Sequence, residues 1–134
     1  MVTALSGKTE KVIELINIER TFLLGDQVVH ALDGVSASVN RGEYVSVMGP
    51  SGSGKSTLLN ILGLLDKPDR GTYLLSGVET TSLKEEERAR YRREQIGFVF
   101  QSFHLVPRLT AQENIELPML LEGIIPRERN RLAN

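Results

Sequence analysis

The chain has 134 residues, 40% hydrophobic and 25% charged, with a net charge of -1 at pH 7. This is the size and balance of one globular domain, and the small net charge gives no bulk field for DNA or anionic lipid. There is no cysteine, which excludes a disulfide framework and thiolate chemistry and suits a reducing compartment. The N-terminus MVTALSGKTEKVIEL has no apolar signal region. No stretch approaches the ~18 apolar residues of a membrane helix.

In chain order, residues 1–10 are polar and read as a flexible tail. KVIELINI (11–18) is β-branched and reads as a strand. Gly25-Asp26 marks a turn. VVHAL (28–32) and VSASV (35–39) read as two short strands, the second wet on one face. NRGE (40–43) is a turn, and YVSVM (44–48) a strand leading into a glycine-rich loop. Beyond the loop, Leu58, Ile61, Leu62 and Leu65 recur at i, i+3, i+4, i+7, one face of an amphipathic helix. DKPDRG (66–71) breaks it, and TYLL (72–75) reads as a strand.

Ser82 and Glu85 match a capping box, with Ser82 as N-cap of a charged helix to about Arg93. Within it RARYRR (88–93) reads as a solvated helix face rather than a nucleic-acid patch, with Glu86 and Arg90 paired at i, i+4. IGFVF (96–100) reads as a strand buried on both faces. Thr110 and Glu113 form a second capping box. Pro118 should kink or end that helix, Gly123 stops it, and Pro126 fits the first position of another.

The chemistry sits in Gly49-Pro50-Ser51-Gly52-Ser53-Gly54-Lys55-Ser56, which fits G-x-x-x-x-G-K-[ST], the P-loop. A polyphosphate needs several N–H groups converging on it, and a glycine loop can turn its amides inward at little cost. The helix opening near Gly54 adds free N–H groups and a positive dipole end. Lys55 brings a charge to the β- and γ-phosphates, Ser56 a hard oxygen for Mg²⁺, and Thr57 a donor for the α-phosphate. ATP with Mg²⁺ is the expected cofactor pair.

The flanks narrow the family. ALDGVSASVNRGEYVSVMGPSGSGKSTLLNILGLLDKPDRGTYLLSG and RREQIGFVFQSFHLVPRLTAQENIELPM resemble the first half of an ABC transporter nucleotide-binding domain. The second block is most similar to the subfamily of lipoprotein release and macrolide export. The resemblance implies an α/β P-loop NTPase fold, an ABC-type core beside an antiparallel β-subdomain. It implies that Phe22 stacks on adenine, where the family more often has Tyr. It implies that Gln101 is the Q-loop glutamine, touching Mg²⁺ and the attacking water. It places residues 102–109 on the surface that receives the permease, with Phe103, Leu105 and Val106 as its apolar part. His104 and His30 receive no catalytic role.

The family also needs a catalytic Asp-Glu pair, an LSGGQ signature and a switch histidine, all after the Q-loop. No Asp follows Asp69, and LSGGQ does not occur. The expectation is therefore a partial domain over 1–134 whose C-terminal half is missing, inactive by itself. Its expected partners are that half, a second ATP-binding subunit and an inner-membrane permease on the cytoplasmic face, with no nucleic acid. The competing expectation is a non-catalytic regulatory module that binds nucleotide or permease; a P-loop kinase fits less well.

Overall fold

A computed structural model describes residues 10–102 and 104–133. The described residues divide after Gly97 into two units.

The first unit is built on a long antiparallel hairpin, β1 (Lys11–Leu24) and β2 (Gln27–Asn40), joined at Gly25-Asp26. The two short strands expected over 28–39 are one strand. Between them Gly34 (φ +64°) is absorbed as a register shift between Arg20↔Leu32 and Ile18↔Val35. β1 carries its own shift between Leu15↔Ala37 and Ile18↔Val35, at Asn17 (φ 50°). The Asn17 N–H donates to Ser36 Oγ at 2.9 Å, which satisfies the amide the shift removes from the ladder. The same shift turns both Leu15 and Ile18 inward, against strict strand alternation.

The expected helix after the glycine loop is α1 (Lys55–Leu62), and β3 (Arg70–Leu75) and β4 (Val78–Glu79) follow. The sheet order is β2-β1-β3-β4, all antiparallel. Leu15, Ile18, Leu32, Tyr73 and Leu75 of the sheet bury Ile61 and Leu64, with Leu58 and Leu62 packed against them. Each fully buried Leu or Ile contributes about 1.5–3 kcal/mol relative to exposure. Leu65, expected on the helix face, lies past the helix and is exposed, while Leu64 takes the inward place with φ 55°. The Tyr73 hydroxyl donates to the Leu62 carbonyl at 2.9 Å and ties β3 to the end of α1.

α2 (Glu85–Gln95) begins later than its sequence suggests. Lys84, not Ser82, is the N-cap, and its N–H donates to Glu87 Oε2 at 3.0 Å. Ser82 Oγ instead donates to the Glu79 carbonyl at 3.2 Å in the preceding turn. RARYRR is not only a solvated face. Arg88 is buried with Nη2 donating to Glu85 at 2.6 Å, Arg92 donates to the Leu64 carbonyl at 2.6 Å, and Tyr91 to the Leu75 carbonyl at 2.8 Å. Arg90 pairs with Glu94 at 3.9 Å, where Glu86 was expected.

Residues 44–48 form no strand, and Tyr44 and Met48 are almost fully exposed. A strand exists through ladder bonds, and no described strand lies alongside this segment to supply them. Residues 96–100 likewise form no strand; Val99 is 101% exposed where burial on both faces was expected. The antiparallel β-subdomain is thus laid out as expected, and the two apolar segments of the ATP-binding core lack strand partners. Of the expected tail, residues 1–9 lie outside the described residues; Glu10 is held, its carboxylate accepting from Arg41 Nε at 2.8 Å.

The second unit carries α3 (Ala111–Leu121) and α4 (Pro126–Ala133), packed on each other. The Thr110 box forms as expected: Thr110 Oγ1 accepts from the Glu113 N–H at 3.2 Å, and the Thr110 N–H donates to Glu113 Oε2 at 2.7 Å. Pro118 stands inside α3 without ending it, and the helix stops before Gly123 (φ +77°). Among the described residues no helix is long and apolar enough to cross a membrane.

Candidate functional site

A cleft of about 510 Å³ lies where the glycine loop meets the hairpin. Ser51, Gly52, Gly54, Lys55, Ser56 and Thr57 form one side, and Val29 and Ala31 of β2 the other. Gly49 and Ser53 belong to the same loop but do not line the cleft. The loop is turned by a Ser53 N–H to Pro50 C=O bond at 3.3 Å. Gly52 (φ +81°) and Gly54 (φ +82°) take the left-handed conformation that only glycine adopts cheaply. Gly54 is also the N-cap of α1 and lies against β2, where a methyl group would meet the Ala31 carbonyl oxygen at 2.2 Å. The first intrahelical bond runs from Leu58 N–H to Gly54 C=O at 2.8 Å. The amides of Lys55, Ser56 and Thr57 therefore have no acceptor within the helix, and all three residues line the cleft.

Lys55 lies folded back over the loop. Its Nζ donates to the Pro50 carbonyl at 2.5 Å and to Ser53 Oγ at 3.4 Å. Both partners are neutral, so an anion in the cleft would compete for the same charge on favourable terms. No carboxylate lines the cleft, and no group of three or more His, Cys, Asp or Glu stands together among the described residues. The side-chain oxygens that line the cleft are the hydroxyls of Ser51, Ser56 and Thr57.

Phe22 is the cross-strand partner of Val29, so the two side chains share a face of the hairpin and Phe22 stands beside the cleft wall. It is 37% exposed, which separates it from a core aromatic. No local sequence pattern marks what holds it. The Arg20 guanidinium lies over its ring, 4.8 Å from the centroid. Arg20 in turn donates through Nε and Nη2 to Asp66 at 2.9 and 3.0 Å, and through Nη1 to Asp69 at 2.6 Å. Asp69 also accepts the Thr21 N–H at 2.6 Å; that bond, with Arg20 beside it, holds its carboxyl below the ordinary aspartate range. Asp66 and Asp69 read from sequence only as a helix break. Their partner is almost fifty residues earlier in the chain, and local pattern carries no trace of it.

Gln101 belongs to the second unit and is exposed. Phe103 lies outside the described residues. Leu105 is exposed, and the Val106 backbone is held by Asn114, whose Oδ1 accepts its N–H at 2.8 Å. His104 sits edge-on to Phe100, ring centroids 4.8 Å apart.

Residues 32–134 match the family model described as ABC transporter. An uncharacterized ABC transporter ATP-binding protein of Thermotoga maritima is 52% identical over 124 residues, 92% of this chain and 53% of that protein. The macrolide export ATP-binding/permease protein MacB of Marinobacter nauticus is 49% identical over 121 residues, 90% of this chain and 19% of that protein. Among solved structures, the ATP-binding cassette MJ0796, a dimer in a post-hydrolysis state bound to ADP and Pi, superposes with a TM-score of 0.82 at 44% identity. That match covers 90% of this chain and 53% of that one. The chain spans about half the length of the ATP-binding proteins it matches.

Proposed function

Since the chain belongs to the ABC transporter family, as an ATP-binding component that carries about half of the ABC ATPase fold, we propose that its cleft binds Mg-ATP. One observation carries the reading: Ser51, Gly52, Gly54, Lys55, Ser56 and Thr57 line a cleft whose opposite wall is β2, the strand that pairs with Phe22. In this reading Gly49, Ser51, Gly52, Ser53 and Gly54 shape the loop so that its amides face the β-phosphate. Lys55 exchanges the Pro50 carbonyl for β- and γ-phosphate oxygens, and Thr57 donates to the α-phosphate. Phe22 stacks on adenine through its exposed ring. Ser56 offers an oxygen that would hold Mg²⁺, and Gln101, in the second unit, keeps the Q-loop role that the family resemblance implies. When bound, the metal neutralises charge on the phosphate oxygens.

The wider role is part of the same proposal. Completed by the other half of its cassette, the chain pairs with a second ATP-binding subunit. On the cytoplasmic face of the inner membrane it couples ATP binding and hydrolysis to a permease of macrolide-export or lipoprotein-release type. Residues 102–109, Phe103, Leu105 and Val106 among them, meet that permease. The name of the Marinobacter relative, which joins ATP-binding and permease, supports the partnership. A second reading, a regulatory module that binds nucleotide without turnover, rests on the lack of a carboxylate in the cleft.

Calorimetric titration with Mg-ATP tests the binding claim. Lys55→Ala removes the mobile charge that lines the cleft; a charge-assisted bond is typically worth ~1.5–3 kcal/mol, about 10- to 150-fold in affinity. Equal affinities for wild type and Lys55→Ala would end the assignment.

A further inference from the structure

We propose that Arg20 is a positioning residue for the base. Clamped by Asp66 and Asp69, its guanidinium backs one face of the Phe22 ring and leaves the other face as the stacking platform. This rests on the Mg-ATP reading of the cleft and deepens it.

Three observations converge. The first is the stack itself: a cation 4.8 Å above the ring centroid lies within the range of a cation–π contact. The second is that this cation cannot wander. Nε and Nη2 grip both oxygens of Asp66 and Nη1 grips Asp69, so the guanidinium plane is fixed from two sides. A planar fork with three donors engaged loses little more freedom when it packs on a ring. The third is what the clamp is anchored to. Asp66 and Asp69 lie in the segment that leaves α1, and that segment is tied back to the helix. The N–H groups of Leu65 and Asp66 both donate to the Asn60 carbonyl, at 2.8 and 3.2 Å. Asp69 closes the loop by accepting the Thr21 N–H, one residue before the ring.

A continuous set of hydrogen bonds therefore runs from the helix that opens at the phosphate loop to Arg20, and the cation–π contact carries it to the ring beside the cleft wall. Its consequence is a fixed spacing between the two halves of a nucleotide site. A phenyl ring on a hairpin edge, 37% exposed and unsupported, would turn about χ1 and would have to be ordered each time a base arrives. Backed by a held cation, the ring meets the base already in place. The cation also draws electron density from the ring, which favours stacking on an electron-rich purine.

The test uses the full 134-residue chain, which contains no tryptophan. Phe22→Trp then supplies a single fluorescent reporter at the platform. In that background Arg20, Arg20→Lys, Arg20→Met and Asp69→Asn are titrated with Mg-ATP and with Mg-tripolyphosphate, which has no base. Quenching reads the stack, and calorimetry on the same samples and on wild type reads the phosphate end. Arg20→Met should weaken ATP binding ~3–10-fold and shrink the quench, with tripolyphosphate affinity changed less than about twofold. Arg20→Lys should recover part of the loss, since it keeps the charge and loses the fork. Asp69→Asn, which keeps the shape of the clamp, should raise the reporter's rotational mobility even where Arg20→Met fails to fold. Unchanged ATP binding in the folded variants, or an equal loss of ATP and tripolyphosphate, would overturn the proposal. If wild type binds neither ligand, the Mg-ATP reading itself falls and takes this inference with it. If wild type binds both and the Arg20 variants match it, this inference alone fails.

Discussion

Gly54 shows how one residue type answers two demands. Its φ of +82° is left-handed, and its missing side chain lets the loop lie against the Ala31 carbonyl. Gly54→Ala should therefore lower stability by about 1–3 kcal/mol, read as a shift in the urea midpoint, before any effect on nucleotide. Lys55→Ala, on the open side of the same loop, should leave that midpoint unmoved. The glycine spacing was legible from sequence because its cause is local: backbone geometry over eight consecutive residues. The Ala31 contact was not, because β2 reaches the loop only through tertiary folding. Phe22 lies between these cases. The role expected of its ring comes from family resemblance alone, and Arg20 beside it is marked by neither pattern nor resemblance. Phe22→Ala should weaken Mg-ATP binding and Phe22→Tyr should retain it. A Phe22→Ala chain that unfolds with no separable loss of binding would make the ring a packing residue.

At the scale of elements, two capping signals met different fates. The Thr110–Glu113 box forms as written, and removing its side-chain bond by Thr110→Ala should speed amide exchange at Asn114 roughly fivefold, the usual worth of an N-cap. The Ser82–Glu85 pattern was equally good on paper, yet Ser82 bonds to Glu79 in the turn that follows β4, and the helix begins at Glu85. A serine in reach of two backbone partners cannot be assigned from spacing. The expected strands at 44–48 and 96–100 failed for another reason: apolar composition reports a wish to be buried, and only a neighbouring strand makes a ladder. The clamp between β1 and the segment after α1 gives a pH signature. The Thr21 N–H, and then Arg20, hold the Asp69 carboxyl below its ordinary value, so folding favours its charged form. That stabilisation is complete above the ordinary aspartate pKa of about 4 and fades as pH falls through the lower folded value. Urea midpoints of wild type and Asp69→Asn should differ most near neutral pH and converge in acid. A constant gap across that range would mean the carboxylate's charge is irrelevant to the clamp.

For the whole molecule, the balance is between a well-packed β-subdomain and apolar segments left without cover. Val45 is 51%, Phe100 55% and Val99 101% exposed. Extended apolar backbone with free N–H and C=O groups is a template for pairing with another chain. The purified chain should self-associate, and Val45→Lys with Val99→Lys should reduce this in sedimentation velocity while Mg-ATP binding persists. Turnover follows from the same incompleteness. Hydrolysis needs a group that polarises the attacking water, and positioned base chemistry is typically worth ~10²–10⁴ in rate. Among the described residues the cleft is lined by hydroxyls, backbone and the Lys55 ammonium, with no carboxylate. Glu85, Glu86 and Glu87 sit in the first turn of α2, and Glu113 is committed to the Thr110 cap. Preorganised donors facing the γ-phosphate are worth a similar factor each, and the family resemblance leads us to expect them from a second ATP-binding subunit. Residues 1–134 should therefore release no phosphate from Mg-ATP above a Lys55→Ala control. Activity should appear when the remainder of a cassette is supplied, in the same chain or as a separate one. Phosphate release by the 134-residue chain alone, abolished by Lys55→Ala, would show that a base exists within it and that the cleft is not the whole site.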